Sequence, residues 1–252
     1  MTSHLAVLAS LALAIFFSPE TLVLGLIIAS DKKVPRLAAF AFAIGGILGI
    51  AFATGIGLWI AVASGSEATV HHHTWVGFAV RAVIAAALLF IGLQRAVNAL
   101  RHKPIPDVSK KQHKPGKLRS TLTEHFPNVM HRLDPNADLP IRGRLARAGG
   151  AGFAICGLHP KVFPIAIAAG HQIMQITDRP DRSLGFVVFA VIAVIPALVP
   201  AVIEVISPGA SSRTKDAYER IMKTHGRWIT ALLLIGVALF IGHDAWKVMP
   251  NH

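Results

Sequence analysis

The strongest constraint on this chain is a set of six apolar runs, each about as long as the roughly 20 residues an α-helix needs to cross the bilayer core. They lie at Leu5 to Ala29, Leu37 to Ala63, Val76 to Asn98, Gly150 to Met174, Leu184 to Ile206 and Trp228 to Val248. Helices on the surface of a soluble bundle keep a polar face, whereas these runs are apolar all round. The sequence therefore predicts an all-α integral membrane protein with six transmembrane helices. Composition agrees, with 53% hydrophobic residues, 15% charged residues and a mean hydropathy of +0.56. No Lys or Arg precedes the first run, and its apolar stretch continues past Pro19 without a small-residue cleavage site. It is expected to stay as a helix rather than leave as a signal peptide. A single cysteine, Cys156, excludes an intrachain disulfide, so helix packing must hold the fold.

In a soluble protein a formal charge of +12 would point to nucleic acid, but in a membrane protein basic residues mark a side of the bilayer. Three segments carry nearly all of them. One holds Lys32, Lys33 and Arg36, the long stretch from Arg101 to Arg147 holds eleven more, and the third holds Arg213, Lys215, Arg220, Lys223 and Arg227. The opposite face has only Arg179, Arg182 and Lys247. By the positive-inside rule these loops are expected to be cytoplasmic at the plasma membrane, with both termini outside and no nucleic-acid partner.

An internal repeat sets the architecture. S-P-E-T-L-V-L-G-L-I-I-A at Ser18 to Ala29 matches H-P-K-V-F-P-I-A-I-A-A-G at His159 to Gly170. R-L-A-A-F-A-F at Arg36 matches R-S-L-G-F-V-V-F at Arg182, and L-F-I-G-L-Q-R-A at Leu89 matches L-F-I-G-H-D-A-W at Leu239. Three matches in one order divide the chain into a first three-helix repeat (1–100), a basic cytoplasmic loop (101–147) and a second three-helix repeat (148–252). An odd number of spans per unit inverts the second copy, an arrangement typical of transporters.

Both repeats place a proline and an ionisable residue mid-span. Pro19 and Pro160 each remove a backbone donor and free a carbonyl, so the first and fourth helices are expected to break there. Glu20 and Lys161 follow directly, and each would cost roughly 2.5–3.5 kcal/mol unpaired at mid-membrane. They are expected to meet in one polar centre, as an ion pair or as two sides of a headgroup site, completed by Ser18 and by His159, a residue able to exchange protons near neutral pH. A purely structural lock between two broken helices is the plainer alternative. Glu204, after Pro196 and Pro200 in the fifth span, is either a gate residue or an interfacial charge. Arg81, Arg95, His243 and Asp244 lie near span ends, where long side chains snorkel to the interface. Gly45 and Gly49 form a G-x-x-x-G pair that fits close packing within the monomer, with a homo-oligomer as the alternative.

The run His71, His72, His73 invites a metal reading, but adjacent histidines do not share a helical face and no carboxylates support them. It reads as a solvated loop, with metal-ion efflux as the alternative. The Arg101 to Arg147 stretch combines its basic residues with six prolines, which suits an irregular segment on anionic lipid headgroups or a plain linker. Ser120 to Phe126 has the cap for a short helix. With no P-loop, G-x-G-x-x-G, G-x-S-x-G or H-E-x-x-H motif, an ATP-driven pump is not expected and no cofactor is called for; a membrane enzyme using Glu20, His159 and Lys161 is the third reading, not favoured because the spacing shows no paired carboxylate and no nucleophile beside a base.

The paired mid-span prolines, the H-P-K at 159–161 where N-P-K is usual, and the two three-helix repeats resemble the lysine exporter superfamily. Within it, the chain is similar to the sulfolipid-1-addressing or peptidoglycolipid-addressing (GAP-like) proteins. The stretch from Ala217 to Gly242 resembles that family's basic amphipathic segment leading into its last helix. The resemblance implies transport of envelope glycolipids or related lipids across the plasma membrane, often beside a larger lipid exporter. An amino acid or metal-ion exporter of the same superfamily is the alternative. The family's proline and lysine carry over onto Pro160 and Lys161, and His159 stands where asparagine is expected.

Overall fold

A computed structural model describes residues 2–17, 19–31, 33–64, 75–101, 139–208, 210 and 227–247. Among them the chain is all-helical: α1 (Thr2–Phe16), α2 (Pro19–Ala29), α3 (Pro35–Ala63), α4 (Trp75–Leu100), α5 (Ile141–Phe153), α6 (Phe163–Met174), α7 (Arg179–Ile206) and α8 (Arg227–Lys247). A five-residue π turn, Ala154–Leu158, ends α5. Helices α3, α4, α7 and α8 are each long and apolar enough to cross a membrane. The other four form bent pairs, α1 with α2 at 46° and α5 with α6 at 63°, so the described residues hold four spans, or six if each pair crosses once. The chain is thus a multi-pass membrane protein.

Proline chemistry sets where the helices start. Pro19 opens α2 and Pro35 opens α3, where a missing N–H leaves no partner wanting. Ahead of Pro160 the backbone of His159 turns extended, as a residue before proline prefers. The carbonyl of His159 then accepts the N–H groups of Val162 (3.0 Å) and Phe163 (2.9 Å), and α6 begins. Pro196 and Pro200 behave differently: α7 runs through both, and they are buried against neighbouring helices.

Helix α3 packs against α5, the π turn, α6 and α7, while α7 packs in turn against α1, α2 and α3. Helices α4 and α8 form a close pair. Glycines bring α3 and α5 together. A Cβ on Gly45 would lie 1.9 Å from the Gly149 carbonyl oxygen, and one on Gly152 would lie 2.1 Å from that of Phe42. Gly49 meets the backbone of Gly157, and Gly57 that of Ile167. The G-x-x-x-G pair therefore serves packing within the monomer. Leu8, Leu11, Ile15, Phe42, Leu88, Phe189 and Leu234 fill the centre, while Ile44, Trp59, Val83, Phe90, Val191 and Leu239 point outward as an apolar surface suited to lipid.

One reading of the basic loops changes. Arg142, Arg144 and Arg147 belong to α5, which starts nine residues before the expected Gly150 and carries its basic turn as helix. Arg144 Nη1 donates to Asp31 Oδ2 at 2.8 Å, and the Lys33 (2.8 Å) and Val34 (3.2 Å) N–H groups donate to Asp31 Oδ1. The α2–α3 turn is thereby tied to the start of α5. Burial raises the Asp31 carboxyl, but these donors outweigh it and hold the group below its ordinary value of 3.8. His71 to His73, Ser120 to Phe126 and Ser18 lie outside the described residues.

Candidate functional site

The two helix breaks bring opposite charges together. Glu20 sits in the first turn of α2, where the helix N-terminus favours a carboxylate and its own N–H is among the donors to it. Lys161 lies between the π turn and α6, and its Nζ donates to Glu20 Oε1 in an ion pair across 141 positions of sequence. The expected meeting of Glu20 and Lys161 is what the structure holds. Glu20 is 16% exposed, but Lys161 is 38% exposed, so the centre is open on one side. His159 belongs to it as well: the Lys161 N–H donates to His159 Nδ1 at 3.3 Å. A ring nitrogen that accepts carries no proton, so this geometry holds a neutral imidazole with its proton on Nε2. Pro160 is exposed in the turn and shapes the break. Thr21, next to Glu20, is buried beside the Cys156 thiol.

The sequence reading missed one member of the centre. Arg95 does not snorkel: it is 9% exposed and lies within electrostatic reach of both Glu20 and His159. Its Nη2 is buried without a hydrogen-bond partner among the described residues. Close packing of α4 against α8 keeps this side chain among the helices instead of letting it reach the interface. A signal was present, because the repeat pairs Arg95 with Ala245, a buried small residue, so the arginine has no counterpart in the second half. The charges that act on one another here are Glu20, Lys161 and Arg95, two positive and one negative.

Glu204 is elsewhere. It is 1% exposed, close to the end of α7, and it lines a cavity of about 500 Å³ with Asp31, Lys33, Arg36 and Pro208. Arg36 Nε donates to the Glu204 carbonyl at 3.2 Å. Ala29, at the far end of α2, lines the same cavity, about 14 Å from Glu20 by helix rise. Arg81 also departs from a simple snorkel, since its Nη2 donates to Gln175 Oε1 at 2.6 Å, linking α4 to the end of α6. One turn earlier, His171 is fully buried with neither ring nitrogen partnered among the described residues, a second polar residue the sequence reading passed over inside an apolar run. His243 is exposed.

Two cations and one carboxylate at the junction of two broken helices can hold an anion, exchange ion-pair partners, and give way on one exposed side. No nucleophile paired with a base is present among the described side chains of the centre. No curated protein and no solved structure matches the chain. One family model does, over residues 8–247, and its description is Sap, sulfolipid-1-addressing protein. By that match across almost its whole length, the chain belongs to the sulfolipid-1-addressing protein family.

Proposed function

We propose that this protein is a six-span transporter of the plasma membrane that helps move envelope glycolipids or related lipids outward, using the Glu20–Lys161 centre as its polar site. The observation that carries this reading is the ion pair itself, formed where two bent helix pairs break at matching points of the repeat. Intramembrane charges are costly and rare outside functional sites, so the place of this pair at two helix breaks points to use. Reciprocal packing supports an inverted repeat: the second helix of each half lies on the broken helix of the other, and the third helices pair. The family description adds a tie to sulfolipid addressing.

On this reading the chain descends from the lysine exporter superfamily, its three basic loops are cytoplasmic, and both termini are outside. The long basic loop contacts anionic headgroups, and a larger lipid exporter works beside it. Glu204 and its cavity, lined by Lys33 and Arg36, form a cytoplasmic approach to the centre. The test is lipidomics of outer-envelope extracts from cells with and without the protein. Loss of one lipid class from the surface is expected. Unchanged surface lipids with altered tolerance to amino acids or metal ions would overturn lipid transport in favour of the superfamily's small-solute chemistry.

A further inference from the structure

Arg95 is not used by an ion pair alone. Glu20 carries one negative charge and has two cationic neighbours, Lys161 bonded to it and Arg95 within electrostatic reach. His159 adds no charge, since its Nδ1 accepts the Lys161 N–H. Among the described residues the centre thus carries one positive charge in excess, in helices where an unbalanced charge is expensive. Its strongest unmet demand is the buried Arg95 Nη2, a donor with no acceptor among the described residues. Guanidinium groups suit oxyanions because their donors form a planar fork matching two oxygens at once. Lys161, at 38% exposed, is the member of the centre that a ligand meets first.

We propose that Arg95 recognises a singly charged oxyanion, such as a sulfate monoester, a phosphodiester or a carboxylate, held beside Glu20 and Lys161. This rests on the reading of that centre as the transport site. One negative charge neutralises the excess, whereas a neutral or zwitterionic group leaves it in place and a dianion reverses its sign. Glu20 is then the competitor of the ligand: it holds Lys161 and steadies Arg95 when the site is empty, and it displaces the anion again for release. The carboxylate and the ligand answer to the same two cations, so they oppose each other in binding while both are needed for transport.

The experiment measures binding of phosphatidylglycerol and phosphatidylcholine to the full-length protein in one detergent by native mass spectrometry. The wild type is expected to bind the anionic lipid about tenfold better than the zwitterionic one. Arg95→Gln is expected to remove that preference, a loss of about tenfold, the low end for a charge-assisted pair, while Arg95→Lys keeps part of it. Glu20→Gln is expected to tighten phosphatidylglycerol binding several-fold, a gain that misfolding does not produce. Unchanged phosphatidylglycerol binding by folded Arg95→Gln would overturn the proposal. So would a Glu20→Gln loss equal to that of Arg95→Gln, because the cluster would then be only a lock between helices. If millimolar sodium sulfate or acetate binds in an Arg95-dependent way and phosphatidylglycerol does no better, the anion site stands and the lipid reading fails.

Discussion

Neutralising Glu20 and neutralising Lys161 remove the same ion pair, yet the structure predicts unequal costs. Breaking a buried pair by removing one partner costs about 3–5 kcal/mol when both charges are fully buried. Here Lys161 is 38% exposed and Glu20 16%, so water offsets part of that loss. In Lys161→Gln the carboxylate keeps Arg95 as a cationic neighbour, and the cost falls to about 1 kcal/mol, the level of a surface pair. In Glu20→Gln two cations face one another without the carboxylate between them, and the cost stays at about 2–3 kcal/mol. The double variant leaves only Arg95, so it should be more stable than the sum of the single losses by about 1–2 kcal/mol. Unfolding of all four proteins in one detergent, followed as a double-mutant cycle, measures these differences. Equal costs for the two single variants would show that Arg95 does not share Glu20 with Lys161, and strict additivity in the double would show that Glu20 and Lys161 are not coupled at all.

Other features yield sharper contrasts. Gly45→Ala and Gly57→Ala drive a methyl group into backbone 1.9 and 2.1 Å away, so each should lower stability by at least about 1–3 kcal/mol. Gly55→Ala, with nothing within 4 Å, should be neutral or gain up to about 1 kcal/mol of helix propensity, and thermal unfolding in detergent separates the three. Asp31 has a carboxyl held below 3.8 by Arg144 and two N–H groups, so its contribution is present above that pH and is lost as pH falls through the lower folded value. Asp31→Asn should therefore cost about 1 kcal/mol at neutral pH and nothing in strong acid, and a cost that persists in strong acid would contradict the assignment.

Much of the helical layout is legible in the sequence because lipid imposes a simple rule: a span must be long, apolar and internally hydrogen-bonded. Pro19 and Pro160 announce the two breaks for the same reason, since no water stands in for a lost backbone bond. Glu20 and Lys161 are legible because the repeat aligns them and an unpaired charge in the membrane is expensive. Arg95 is not, because its distance from a span end looks the same whether the side chain reaches the interface or turns inward, and only the packing of α4 against α8 decides. Glu204 has the same ambiguity in sequence, which shows neither its 1% exposure nor the cavity it lines with the α2–α3 turn. The start of α5 is hidden for another reason: Arg142, Arg144 and Arg147 look like loop until Asp31 supplies a partner for the middle one.

The central claim is that the charged junction of the two broken helices moves lipid rather than merely joining them. Its most direct test is surface lipidomics of cells lacking the endogenous protein and supplied with wild type, Glu20→Gln, Lys161→Gln or Arg95→Gln, each inserted to the same level. The account predicts that wild type restores the missing lipid class and that Glu20→Gln and Arg95→Gln fail while remaining folded in the membrane. Full restoration by both of those variants would contradict it.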